Sequence, residues 1–291
     1  MTHSAVIEAD DATMLLSKRD FHNDKDSTYW LPKDKEEKNR LIRQHYVIKG
    51  IFEGNFLKSV EKTLNFNKDI SILDVGCGSG IWIMGMIKDY PNCSYHGCDI
   101  VDFTQEAISS SQFTFSYGNV AKGLPYPDNS FDFAHMRLLV LALREEEWPI
   151  AIRELLRVTK PGGMIQLLEI DHKLTGNAMV QAFLASIHAT CKSRGQNACI
   201  ATELKKIVSV IDNAKIVQAD YMIADLSTEE SRKKNMHWIW KDVLKSMLPT
   251  IGPQLGLYDK PSQLEYVEEF ERSLTILETY FCISSLAIQK I

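Results

Sequence analysis

Nine residues constrain this chain more than any others: Ile72-Leu73-Asp74-Val75-Gly76-Cys77-Gly78-Ser79-Gly80. An apolar run ends in an acid, and three glycines follow at alternate positions. This reads as a buried strand, a tight loop and a helix starting near Ser79. Glycine lets the backbone turn and come close to a ligand with no Cβ in between. The first turn of the helix offers N–H groups without intrahelical partners. The spacing narrows the choice of guest. The dinucleotide fingerprint G-x-G-x-x-G seats a pyrophosphate on a helix N-terminus, and the phosphate loop G-x-x-x-x-G-K-S/T needs a lysine. Here the order is D-x-G-x-G-x-G, with no lysine. An acid two residues before the first glycine attracts a cationic ligand and repels a phosphate. A glycine-rich turn that binds nothing is the plainer alternative, and such a loop alone is a weak signal.

Further landmarks follow in order. Asp99 closes the stretch Cys93–Cys98, and an acid at the tip of a second strand can accept both hydroxyls of a ribose. Phe113–Tyr117 is β-prone and runs into Gly118, Asn119 and Val120. Leu124-Pro125-Tyr126-Pro127-Asp128-Asn129-Ser130-Phe131-Asp132 leads into another strand, and Arg157-Val158-Thr159-Lys160-Pro161-Gly162-Gly163 turns a helix into the next. Together, over about 90 residues, these landmarks resemble the core of the class I S-adenosylmethionine (SAM) methyltransferases. The resemblance implies an α/β, Rossmann-like fold: a seven-stranded, mostly parallel sheet with its last strand antiparallel and helices on both faces. It implies S-adenosyl-L-methionine as cofactor, whose ammonium and sulfonium suit the charge of the loop. It also implies roles. Gly76, Gly78 and Gly80 line the methionine portion, and Asp74 holds the loop and favours the ammonium. Asp99 takes the ribose, with Ile100 against the adenine. Asn119 and Val120 meet the adenine edge, and the backbone around Met136 passes the methionine part. Asn119 stands where the family more often has Asp, yet its amide oxygen still accepts a hydrogen bond.

From residue 69 onward strand and helix patterns alternate, which argues for a parallel sheet covered on both faces. Strands are expected near 70–75, 94–99, 112–117, 131–136, 164–170, 214–223 and 280–289, and helices near 147–158, 178–193 and 201–211. About 55 residues separate the last two strands, far more than a hairpin needs. They hold two amphipathic stripes, one through Met236, Ile239, Val243 and Met247, the other through Leu264, Val267, Phe270, Leu274 and Leu277. Pro249, Gly252, Pro253 and Gly256 mark the loop between them. The expected organisation is a mobile tail over 1–26, a helical segment over 27–66, and a methyltransferase domain over 67–291 with a helical cap inserted at about 224–279. In the helical segment Asp34 is the expected N-cap, with Glu37 at the third position, and Leu41, Ile48, Phe52 and Phe56 form the apolar stripe with His45 on it.

Composition excludes little but bounds the partners. The net charge of −5 gives no electrostatic footprint for nucleic acid or an anionic membrane. Six scattered cysteines, without C-x-x-C, speak against zinc and for a reducing compartment. The N-terminus lacks an apolar signal core, and Leu138–Leu143 is too short to span a bilayer. A cytoplasmic location is expected, with a nuclear one as the alternative. Arg232-Lys233-Lys234 is read as a solvated helix face.

A second resemblance lies upstream. Tyr29-Trp30-Leu31-Pro32, Asp34, Glu36-Glu37, Arg40-Leu41 and Gln44-His45 are similar to the segment that crosses the cofactor cleft in fungal methyltransferases of the UMTA/LaeA-like group. Tyr29 then closes over the cofactor, or anchors the segment by packing. The group implies either methylation of a small, secondary-metabolite-like molecule or a regulatory role through protein partners. Methyl transfer is in-line displacement, so alignment and water exclusion dominate, and a general base helps only for a hydroxyl or a protonated amine. His135, Glu169 and His172, at the tips of the fourth and fifth strands, are the catalytic candidates, with His45 and Asp171 nearby. Arg137 suits a carboxylate of the substrate or of the cofactor, or a salt bridge to a helix. Trp238 and Trp240 are candidates for an apolar substrate wall.

Overall fold

The computed structural model describes residues 19–21, 27–102, 111–233, 236–276 and 279–291. Most of the tail expected over 1–26, the cluster residue Lys234 and the stripe residue Leu277 lie outside them. The chain enters through helix α1 (Lys35–Ile51) and the short α2 (Lys58–Thr63). Then come β1 (Ser71–Val75), α3 (Ile81–Asp89), β2 (Ser94–Asp99), β3 (Phe113–Tyr117) and β4 (Phe131–Arg137); the expected alternation holds from β1 to β2, but residues 118–130 join β3 to β4 without a helix. The second half runs α4 (Trp148–Val158), β5 (Thr159–Asp171), α5 (Ala178–Ser193), α6 (Ile200–Ser209) and β6 (Ala214–Asp225). It closes with α7 (Glu229–Lys233), α8 (Met236–Ile251), α9 (Lys260–Ser273) and β7 (Tyr280–Lys290).

The strands form one seven-stranded sheet in the order β3-β2-β1-β4-β5-β7-β6, with β7 antiparallel to both of its neighbours. Strand direction alternates side chains between faces, and two rows show the consequence. Ile72, Phe133 and Met164 lie in register on one face, beside Trp82 and Met86 of α3 and Val60 of α2. Leu73, Ala134 and Ile165 point to the other, into a core shared with α4, α5 and α6. The order reverses between β1 and β4, so the carboxyl ends of these strands open a crevice where ligands of doubly wound sheets bind.

Four local expectations shift. Asp34 does cap α1, accepting from the Glu37 N–H at 3.0 Å, but the buried face of α1 is Glu37, Arg40, Gln44, His45, Ile48 and Ile51. Phe52 and Phe56 lie beyond the helix end. Pro249 sits inside the last turn of α8 instead of the loop. In α9, Leu264 is exposed while Gln263 is buried. Trp240 is buried against Phe183 and Phe281, so it belongs to the core, and Trp238 is 45% exposed.

Candidate active site

The glycine loop leaves β1 at Val75. Gly76, Gly78 and Gly80 all take left-handed backbone, with φ of 67°, 51° and 71°. At Gly76 a Cβ would also stand 2.7 Å from Leu139 Cδ2, so both conformation and space require glycine there. Gly80 is the N-cap of α3. Asp99, at the tip of β2, ties the loop to the sheet: its carboxylate accepts the Gly78 N–H at 2.9 Å and the Val101 N–H at 3.2 Å. Burial outweighs these donors and pushes the Asp99 carboxyl up to about 6.

Around this loop a cavity opens at the strand ends. Tyr29, Asp74, Gly76, Gly78, Asp99, Ile100, Asn119 and Val120 line it, eight of the residues singled out from sequence. Gly80 and Met136 do not; Met136 is fully buried, while its neighbours Arg137, Leu138 and Leu139 take the wall. The Asn119 side chain accepts the Ala121 N–H at 2.9 Å, shaping its own turn.

None of the three residues considered for acid–base work lines the cavity: His135 and Glu169 stand behind wall residues, and His172 lies among core residues away from it. His135 is buried, its ring stacked on Trp82 at 4.0 Å, with Nδ1 2.8 Å from Asp74 Oδ1; burial lowers its pKa. Glu169 is buried beneath the loop after β4 and accepts the N–H groups of Leu139 and Val140 at 2.8 and 3.0 Å. Burial pushes it up to about 8 against those donors. His172 is buried edge-on to Trp240, and burial lowers it to about 4. Asp171 bonds the Tyr221 hydroxyl.

The residues present fit a ligand with a cationic amino-acid end, a ribose and an apolar-edged base: the carboxylates of Asp74 and Asp99, a glycine cradle beside them, and no lysine among the described residues of the wall. Residues 72–163 match the family profile described as a methyltransferase domain. Residues 72–163 are a methyltransferase domain by this match. Around this methyltransferase domain, the similarity to LaeA-like fungal proteins expected from residues 29–45 is also found. The secondary metabolism regulator laeA of Coprinopsis cinerea is 29% identical over 164 residues, covering 54% of this chain and 40% of that protein. The methyltransferase grgD of Penicillium sp. is 30% identical over 155 residues, covering 50% and 53%. The chain thus spans about half the length of these relatives. Among solved structures, a loganic acid methyltransferase with SAH shares the fold at a TM-score of 0.56 and 10% identity, covering 94% of this chain and 98% of that one.

Several residues of the cavity wall were given no site role from the sequence. Gln44 reaches the cavity from α1, beside Leu41. The signal was available: polar residues at 37, 40 and 44 repeat at helical spacing. Leu138 takes φ +59° and, with Leu139, Ala142 and Leu143, forms an apolar side. No local pattern announces a leucine in left-handed backbone. The buried hub Gln196 donates to the carbonyls of Thr28 and Leu141 and accepts from Trp30 Nε1, holding the N-terminal segment to the loop after β4.

Proposed function

We propose that this chain binds SAM in the cavity at the ends of β1, β2 and β4 and transfers its methyl group to a small-molecule acceptor. The observation that carries the reading is the union of a left-handed glycine loop with an acid at the end of β2, joined by the Gly78–Asp99 hydrogen bond. SAM would supply a methyl carbon already activated by sulfonium. In this reading Asp99 holds the ribose, Asn119 and Val120 the adenine edge, and Asp74 the amino group. Tyr29 and Leu41 cover the glycine loop and, with the apolar side from Leu138 to Leu143, exclude water. We assign His135, Glu169 and His172 supporting roles: His135 orients Asp74, Glu169 fixes the backbone of Leu139 and Val140, and His172 backs Trp240. Alignment then carries most of the acceleration, which suits an in-line displacement.

The helices between β6 and β7 contribute no described residue to the cavity wall; they bear on it through α1, which α8 holds by the Ser246–Glu37 hydrogen bond and which carries Leu41 and Gln44 into the wall, and we assign them an indirect part in selecting the acceptor. We place the protein in a cytoplasmic or nuclear setting; among the described residues no helix is long and apolar enough to cross a membrane. A regulatory protein working through partners is the second reading, favoured by the similarity to the secondary metabolism regulator of Coprinopsis cinerea. A calorimetric titration of SAM into wild type and Asp99→Ala, followed by methyl-labelled SAM in a metabolite extract, tests both. Binding weakened by the mutation, with label entering a small molecule, supports the enzyme. Binding without transfer favours the regulator, and no binding at millimolar protein defeats the cofactor assignment.

A further inference from the structure

We propose that Arg137 and Asp74 form a paired receptor for an α-amino-acid zwitterion, in which Arg137 takes the carboxylate. The inference rests on the SAM reading and deepens it, since the methionine end of the cofactor is such a zwitterion.

The placement comes from strand register. Asp74 pairs across the sheet with His135 and Val75 with Met136, so Arg137 follows at the tip of β4, beside the start of the glycine loop. Arg137 lies two residues from His135 and therefore on the same face of β4. Asp74 and Arg137 both line the cavity, with opposite charges at one end of it and Asp99 at the tip of another strand.

The state of Arg137 is what asks for an anion. Its side-chain partner among the described residues is His45, whose Nδ1 lies 3.1 Å from Arg137 Nη2. A guanidinium only donates, so His45 Nδ1 presents its lone pair and the ring carries its proton on Nε2. Burial and the neighbouring Arg137 hold His45 down to about 3, which keeps it neutral. Asp74, the carboxylate that acts on Arg137 through space, is already bonded to His135. No carboxylate among the described residues comes within 4 Å of Arg137 as an ion pair does at Arg40 or Arg43. A guanidinium set back from water, with a neutral imidazole as its contact and Asp74 acting only through space, is incompletely compensated. Its remaining N–H groups form a fork that a carboxylate fits in two-point fashion. His45 aims that fork by fixing one nitrogen.

The test is calorimetric binding of four probes to the full chain: SAM, S-adenosylhomocysteine, decarboxylated SAM and 5′-methylthioadenosine. Wild type should bind SAM at least about 30-fold more tightly than decarboxylated SAM. Arg137→Gln should lose a similar factor for SAM and S-adenosylhomocysteine while leaving decarboxylated SAM unchanged, and Arg137→Lys should fall between. A variant that weakens SAM and decarboxylated SAM equally, or neither, overturns the inference and leaves the cofactor reading standing. If Arg137→Gln does not fold, the wild-type ratio decides: equal affinity for SAM and its decarboxylated form overturns the proposal. Wild type binding none of the four defeats the cofactor reading itself.

Discussion

Asp99 illustrates how a single carboxyl can make cofactor binding depend on pH. Its pKa is pushed up to about 6 by burial, and the ribose hydroxyls of the proposed cofactor need its ionised form. Ionisation is complete well above 6 and is lost as pH falls through 6. SAM affinity should therefore hold steady between pH 7 and 8 and drop roughly tenfold by pH 5. Asp99→Asn should bind weakly with a flat profile over the same range, which calorimetry in matched buffers will reveal; a wild-type profile as flat as the variant's would remove Asp99 from the ribose. At Gly76 the constraint is steric. Gly76→Ala must hold a Cβ at φ +67° and push back Leu139, whose Cδ2 would stand at 2.7 Å. A cost of about 2 kcal/mol is expected in urea unfolding from these two effects together. Gly162→Ala, also at positive φ but with nothing within 4 Å of the added carbon, separates the conformational part from the clash. The glycines and Asp99 were legible in sequence because conformation and charge are properties of the residue itself. The absence of His135, Glu169 and His172 from the cavity wall was not, because their role depends on what Trp82, Leu139 and Trp240 bring against them.

Helix α1 shows where periodicity misleads. Hydrophobic spacing picked out Leu41, Ile48, Phe52 and Phe56, while the face turned inward carries Glu37 and Arg40, exposed by only 2% and 5%. The two satisfy each other: Arg40 donates from Nε and Nη2 to Glu37 Oε1 at 2.9 and 2.6 Å, and from Nη1 to Gln44 at 3.0 Å. Ser246 of α8 donates to the other Glu37 oxygen at 2.6 Å, and Arg43 pairs with Asp242 of the same helix. A polarity pattern scores such a pair as solvent-facing, so the union of α1 with α8 was invisible. The strands, by contrast, were read to within two residues at each end, since aromatic and β-branched runs bounded by glycine have few other uses; the exception is β5, which starts at Thr159 and runs through the Lys160–Gly163 stretch expected to be a turn. Because the pair is buried, removing one charge strands the other. Glu37→Gln should cost about 3–5 kcal/mol in urea unfolding. Ser246→Ala, which removes one hydrogen bond and leaves the pair, should cost about 1–3 kcal/mol. Equal losses would mean that the α1–α8 contact, not the ion pair, carries the stability.

At the scale of the whole molecule, the cavity is where otherwise separate parts meet. The glycine loop and Asp99 come from the first half of the sheet, Leu138 to Leu143 from the loop after β4, Tyr29 from the N-terminal segment, and Leu41 and Gln44 from α1. Gln196 fastens the N-terminal segment to that loop from the far side, and α8 holds α1 from above. Doubly wound sheets place their ligand at the reversal of strand order, and the order β3-β2-β1-β4 puts that point under the N-terminal segment. A ligand bound there bridges segments that unfolding would separate, so its binding energy is added to the stability of the native state. With SAM at 100 times its dissociation constant the gain is about 2.7 kcal/mol. That should raise the melting temperature by roughly 5 °C for a chain of this size. Asp99→Ala at the same SAM concentration should show little shift, since its affinity falls while its fold persists. A shift of equal size in the two proteins would locate the ligand outside this cavity, and the bridging of the N-terminal segment to the sheet would then need another cause.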